Sequence, residues 1–521
     1  MHPSHFALTH PEKSALIFQP SGVDLTFLEL EQRITQAAHL LQNLGIRPGD
    51  AVAFCIENSP EFFEVAWAAQ RVGAIFTPMS TRLSADDMRY IVEDAGVRVF
   101  ILSAACESSR HVKKEMFAAV ELMAVNGDIE GFGDWRKQRQ EMPITPISSP
   151  APGREMMYSS GTTGRPKGVR KPLPQGEFDD SDSRAVNFSQ KFSLGEDSVY
   201  LSTSPLYHSA PYVFAASALR YGATCVVMEH FEAELALHCI QTFRCTHGIW
   251  VPTMFHRMLR LPPEVRHAYD ASSLRYALHG AAPCAVHVKE EMINWWGPIL
   301  HEYYAGTEGI GSCMISSLEW LSHKGSVGRA TDGEIHILDE HDEEVPVGGI
   351  GVVHFKNTSQ FEYWKAPDKT AGTRSKQGWW TYGDIGYVDM EGYLYLTDRK
   401  DFMIISGGVN IYPQEIENVL LSHPLVSDAA VFGIPNEEYG EEVKAVVQPV
   451  GEHTSYTSSH KAELIEFCRQ KLGSVKTPRS IDFVDELPRH ATGKLYKRLL
   501  RERYLEMHKS SAGAVPVLNR P

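Results

Sequence analysis

The run Tyr158-Ser-Ser-Gly-Thr-Thr-Gly-Arg-Pro-Lys-Gly-Val169 gathers hydroxyls, glycines and two cations behind the apolar pair Met156 and Met157. Gly161, Gly164 and Gly168 lack a Cβ, so this backbone can take positive φ and turn N–H groups toward an anion. Ser159, Ser160, Thr162 and Thr163 add hydroxyl donors, and Lys167 adds a point charge. That is the inventory of a phosphate cradle. A Walker loop needs a Ser or Thr directly after its lysine to reach magnesium, whereas Lys167 is followed by Gly168 and Val169. The Walker reading therefore fails. A Ser/Thr/Gly-rich surface loop has the same composition, and the run alone leaves both readings open.

The elements that must position such a loop are legible on both sides of it. Ser14 to Phe18 reads as a strand, and Thr26-Phe-Leu-Glu29 is a capping box that opens a helix. Ala51 to Ile56, Ile75 to Pro78 and Val97 to Leu102 read as strands. Between them, helices start at Ser59-Pro60 and Ser84 and stop at Gly73 and Gly96. Strands alternating with helices predict a parallel, helix-covered sheet. Residues 104–154 look irregular, and 176–183 look like an exposed loop. From Gly333 to Tyr395 the pattern becomes β-rich. After Lys400 a βαβ-like piece of about a hundred residues is the size of a small domain. The fold expected is α/β: a large N-terminal domain of parallel sheets with a β-rich subdomain (1–400), a small mobile α+β lid (401–509) and a frayed tail (510–521).

The chain has 521 residues, 43% of them apolar and 22% charged, as in a soluble globular protein. The net charge of −15 argues against a nucleic-acid partner. Eight scattered cysteines without a C-x-x-C pair suggest neither a disulfide framework nor a zinc site. Neither a signal peptide nor a membrane-length apolar run is visible, so a cytoplasmic protein is expected.

Four further stretches accompany the glycine-rich run. They are Pro205-Leu-Tyr-His208, Tyr304-Ala-Gly-Thr-Glu308, Tyr382-Gly-Asp384 through Glu417, and Leu487-Pro-Arg-His-Ala-Thr-Gly-Lys494. In order and spacing the five resemble the motifs of the adenylate-forming superfamily, from about Leu25 to Arg501, and in particular bacterial fatty-acid and related acid–CoA ligases. The resemblance implies a two-step reaction with ATP, magnesium and coenzyme A. A small carboxylic acid is adenylated with release of pyrophosphate, and the acyl group then passes to the thiol of coenzyme A.

It also implies roles for particular residues. Thr162, Thr163, Gly164 and Lys167 would hold the β- and γ-phosphates, Thr307 the α-phosphate, and Glu308 the magnesium, for which a carboxylate is the right hard ligand. Gly280, Ala281, Ala282 and Pro283 would lie along one face of the adenine, with the Tyr304 ring on the other. Asp384 and Arg399 would take the ribose. Lys494 is the catalytic lysine, His208 an aromatic gate at the acyl carboxylate, and Asp401 the hinge. Gly407 and Gly408 would let the thin pantetheine arm approach the backbone. The chain departs from the family pattern at Ala305, where glycine is usual, and at Tyr382, where threonine commonly precedes Gly-Asp.

Ser209 stands where amino-acid-activating relatives carry an aspartate, so an amino-acid substrate is disfavoured. The expected acyl pocket (208–213, Met254, Gly280 and 305–310) is mostly apolar or small, which suits a fatty or aryl/cyclic tail. Two alternatives stand beside the CoA ligase. One is an acyl-adenylate ligase that loads a carrier protein; the other is a non-catalytic nucleotide-binding homologue.

Overall fold

A computed structural model describes residues 2–159, 165–180, 182–399, 402–436, 438–451, 453–489 and 495–511. Among these, two large sheets form the body of the molecule. A six-stranded sheet runs in the order Gly133–Asp134, Glu121–Val125, Val97–Ser103, Ala51–Cys55, Ile75–Pro78, Arg154–Glu155. All its pairings are parallel. Every residue of Ala51–Cys55 and Ile75–Pro78 is buried, as in a sheet covered on both faces. A nine-stranded, mainly parallel sheet is built from residues 14–26 and 199–332.

The helices form where the sequence signals lie. Thr26 caps Phe27–Asn43 by accepting from the Glu29 amide, while the Glu29 carboxylate accepts from the Thr26 amide at 2.9 Å. Pro60 opens Pro60–Arg71, and Gly96, at φ +66°, closes Ala85–Ala95. Residues 104–154 are more regular than expected: the strand Glu121–Val125 and the helix Trp135–Gln140 lie within them. Both are too short for their periodicity to stand out.

Two smaller sheets carry the chemistry. Lys167–Arg170 lies between Met157–Ser159 and Glu362–Tyr363, antiparallel to both. The described ends of the glycine-rich run, Tyr158–Ser159 and Lys167–Gly168, are thus paired in adjacent antiparallel strands. The second is a four-stranded antiparallel sheet of Glu334–Leu338, Gly351–Lys356, Trp380–Val388 and Leu394–Arg399. Its register sets Asp384 opposite Arg399.

The small C-terminal domain is a five-stranded sheet with the helices Pro413–Leu421, Ser458–Lys476 and Lys497–Ser511. Its first long strands are not a βαβ unit. Val426–Asn436 and Gly440–Pro449 pair antiparallel, because the link between them is far too short for a parallel crossover. The βαβ unit comes later: Gly440–Pro449 and Ser480–Phe483 are parallel, with Ser458–Lys476 between them. The last helix runs through Ser510 and Ser511, where a frayed tail was expected to begin. Arg260 of the large domain donates to Ser427 Oγ at 2.6 Å, and the next residue, Asp428, accepts two bonds from Arg489, both 2.6 Å.

Candidate active site

Three separate strands bring Tyr304, Asp384 and Arg399 together. Tyr304 Oη donates to Asp384 Oδ2 at 2.6 Å, and Arg399 Nε lies 3.1 Å from Asp384 Oδ1. Asp384 is 8% exposed. Burial, with the Asp384 carboxylate beside it, pushes the Tyr304 hydroxyl well above its usual pKa, so it stays a donor. An ionised carboxylate offers about four lone-pair sites, so Asp384 can still accept from a ligand's hydroxyls.

Tyr382 has a definite job here. Its ring meets that of Tyr304 edge-on at 5.8 Å, its hydroxyl accepts from the Ile310 amide at 3.1 Å, and it donates to the Gly311 carbonyl at 2.9 Å. The tyrosine therefore pins the turn that follows Tyr304. It does so only because residue 306 has no side chain: a Cβ there would stand 2.2 Å from Tyr382 Cε1 and 2.8 Å from Glu308 Oε2. Gly306→Ala is expected to cost about 1–3 kcal/mol through overpacking. Melting curves with and without ATP should show a lower Tm and a smaller nucleotide-induced rise. Tyr382→Ala alone should also lower Tm, and in that background Gly306→Ala should cost less than it does beside the tyrosine; an equal cost in both backgrounds would mean the ring is not the obstacle.

Thr307 and Glu308 follow on a turn closed by the Gly309 amide, which donates to the Gly306 carbonyl at 3.1 Å. Glu308 Oε1 accepts from Tyr363 Oη at 2.7 Å, and Lys167 Nζ lies over the Tyr363 ring at 5.2 Å. Among the described residues no group of three or more His, Cys, Asp or Glu could cage a metal. A lone carboxylate oriented by a tyrosine suits an ion that keeps its waters and takes its other ligands from phosphates, as magnesium does.

Two participants carry no motif signal. Tyr363 is one. The other is Lys171, just beyond Lys167–Arg170, whose Nζ packs so closely on Gly309 that a Cβ there would be 2.8 Å away. Burial pulls the Lys171 pKa down to about 8; Arg184 and Arg154 add to the fall, while Glu155 and Glu308 oppose it. Only the tertiary fold places it beside Glu308.

Gly280 packs against the neighbouring strand, where a Cβ would fall 2.6 Å from the Tyr303 carbonyl oxygen. Ala281 takes φ +67° and is exposed with Pro283, while Ala282 is half-buried, so this loop offers a flat edge. His208 is the N-cap of Ser209–Arg220, and its ring lies 4.6 Å from that of Tyr207. This segment is held by a residue the sequence did not single out. Buried Asn58 donates to the Ser204 and Met228 carbonyls at 3.1 and 2.8 Å and accepts from the Leu206 amide at 2.8 Å.

In the small domain Gly407 and Gly408 have φ of +57° and +80°, which explains the glycine pair. Ser160, Gly161, Thr162, Thr163, Gly164, Asp401 and Lys494 lie outside the described residues, as does any account of the Ser159 side chain. The flanks of Lys494 are described. Arg489 and Leu495 form an antiparallel bridge, and the Tyr496 amide donates to the Pro488 carbonyl at 2.9 Å. Tyr496 lies within electrostatic reach of Arg82, Tyr207 and Asp87, so this neck faces the segment that carries His208.

Comparison with known proteins agrees with this geometry. Residues 4–364 match the AMP-binding enzyme family and residues 415–494 the AMP-binding enzyme C-terminal domain. The chain belongs to the AMP-binding enzymes of the adenylate-forming superfamily. It is 31% identical to the long-chain-fatty-acid–CoA ligase FadD13 of Mycobacterium tuberculosis, over 96% of this chain and 97% of that one. It is also 31% identical to the fatty acid–[acyl-carrier-protein] ligase ScoC of Streptomyces coeruleorubidus, over 93% and 92%. Among solved structures, o-succinylbenzoate CoA synthetase of Bacillus subtilis, in complex with its acyl-adenylate intermediate, superposes with a TM-score of 0.79. That pair is 27% identical, over 96% of this chain and 97% of that one.

Proposed function

We propose that this chain is an ATP-dependent acid–CoA ligase acting on a fatty or aryl/cyclic carboxylic acid. The observation that carries this reading is the Tyr304–Asp384–Arg399 constellation, with Glu308 held by Tyr363 nearby. A carboxylate and a triphosphate repel one another, so catalysis is a matter of fixed positive charge and alignment. Thr162, Thr163 and Gly164, with Lys167, hold the β- and γ-phosphates. Tyr304 and the Gly280–Pro283 edge sandwich the adenine, and Asp384 with Arg399 fixes the ribose. Thr307 donates to the α-phosphate. Magnesium, when bound at Glu308, neutralises charge on the phosphates.

The acid's oxygen attacks the α-phosphorus in line, the bond to the bridging oxygen breaks, and pyrophosphate leaves. Lys494 stabilises the charge that develops, and His208 borders the acyl carboxylate. The thiol of coenzyme A then attacks the acyl carbon, passing by Gly407 and Gly408. AMP departs, and the thiol proton is lost. The lid turns about Asp401 between the steps, with the domain boundary at residues 400–401. The described helices include none long and apolar enough to cross a membrane. All eight cysteines are free thiols, which supports a cytoplasmic setting.

A carrier protein as acyl acceptor is the second reading, favoured by the similarity to the Streptomyces ligase. Pyrophosphate release on mixing ATP, magnesium and a panel of carboxylic acids tests the first step. Thioester formation is then compared with coenzyme A and with a phosphopantetheinylated carrier protein. We expect pyrophosphate with at least one acid class and thioester with coenzyme A. Transfer to the carrier alone would favour the second reading, and no pyrophosphate with any acid would refute both.

A further inference from the structure

Lys171 is a cation for which the reaction described above has no use. Side chains alternate along a strand, so Lys167, Val169 and Lys171 share one face. Val169 is opposite Tyr363, whose hydroxyl holds Glu308. Glu308 therefore lies between two lysines, with Lys171 on the side away from the glycine-rich run. Four residues of strand span roughly 13 Å, beyond the reach of a pyrophosphate gripped at that run.

The surroundings of Lys171 are charged where an apolar acyl pocket was expected. Glu155 accepts from Arg184 Nη1, and Asp182 accepts from Arg184 Nη2 at 2.9 Å. Arg154 donates to the Pro172 carbonyl at 2.7 Å, and Arg220 to the Asp180 carbonyl at 3.3 Å. Lys171, Arg154, Arg184 and Arg220 thus stand with Glu155 and Asp182, both taken by Arg184, and with Glu308, which is held by Tyr363. Lys171 Nζ makes no hydrogen bond or ion pair with any described residue; Glu155 and Glu308 act on it only from a distance. Beside it opens a cavity of about 550 Å³, lined also by Arg170, Pro172, Leu173, Gln360, Phe361 and the carboxylate-bearing Glu362. That volume suits a small organic ligand. The cluster also borders both expected acyl segments: Lys171 touches Gly309, and Tyr212 lies within electrostatic reach of Glu155, Arg184 and Asp182.

A half-buried ammonium with no partner on the described residues gains a charge-assisted hydrogen bond when an anionic ligand group enters the cavity beside it. We propose that Lys171 receives a second carboxylate at the far end of the acyl substrate, so that the preferred acid is an apolar chain or ring with a carboxylate at each end. This rests on the acid–CoA ligase reading.

The test compares monocarboxylic acids with dicarboxylic acids of the same chain length, measuring kcat/KM for pyrophosphate release. The wild-type enzyme should favour the dicarboxylate by about ten- to hundredfold, the worth of one charge-assisted hydrogen bond. Lys171→Met should bring that ratio close to one, and Lys171→Arg should keep most of it. Lys171→Gln should lose the preference as Met does, so the answer does not depend on a single variant folding. A ratio unchanged in both Met and Gln variants would overturn the proposal. So would a rise in the KM for ATP, equal for both acid types, with no change in the ratio. If the acid–CoA ligase reading itself were wrong, the wild-type enzyme would release pyrophosphate with no acid, a distinct outcome.

Discussion

Lys494→Ala is expected to slow adenylation by about 10²–10³, the usual loss when one preorganised donor is removed from a developing oxyanion. Thioester formation from preformed acyl-adenylate should remain close to the wild-type rate. The physical basis is the division of labour between the two domains. The described flanks of Lys494 belong to the small domain: Arg489 and Leu495 form a bridge, and Arg489 is anchored by two bonds to Asp428. Asp428 follows Ser427, which accepts from Arg260 of the large domain. The described flanks of the lysine therefore follow the small domain, and Tyr496 shows them turned toward the His208 segment. A group carried by a movable domain can serve one step and be absent from the next. Pyrophosphate release and acyl transfer from synthetic acyl-adenylate, measured separately, give the two rates. Equal loss in both would show that Lys494 does not belong to adenylation alone.

Asp384→Ala should raise the KM for ATP by about a hundredfold or more, with a smaller change in kcat. The proposed ribose contact would lose two charge-assisted bonds, each worth about 1.5–3 kcal/mol. The same change strands Tyr304 Oη and removes the carboxylate beside Arg399, so the ring that should stack on adenine loses its anchor. Binding shared by the ground and transition states appears in KM, which distinguishes a nucleoside anchor from a catalytic group. Asp384→Asn keeps the shape and one acceptor and should fall between the two. A fall in kcat at unchanged KM would reassign Asp384 to the chemical step.

The members of the Tyr304–Asp384–Arg399 cluster were legible in the sequence because the motifs that carry them are short and ordered. Gly-Asp in the strand Trp380–Val388, Arg399 at the end of its partner and Tyr304 before Thr-Glu each sit at a fixed place within a local motif. The first strands and helices were legible for a similar reason, since capping residues and glycine stops mark their ends. Asn58, Tyr363 and Lys171 were not, because each acts on residues more than fifty positions away, through contacts that leave no spacing in the sequence. The direction of the small domain's first strand pair was not legible, for a different reason. Apolar runs such as Val426 to Phe432 and Val443 to Val450 identify strands but not their direction. Only the length of the link between them decides it.

Tyr382 and Gly306 have a consequence for how this sequence can change over time. The ring of one occupies the space that a side chain on the other would need. A larger residue at 306 is tolerable only after the tyrosine has shrunk, yet a smaller residue at 382 releases the Ile310 and Gly311 bonds. Single-step drift is therefore blocked in one direction and penalised in the other. The two positions should be inherited as a pair, so that a descendant carrying a side chain at 306 would be expected to show a small residue at 382.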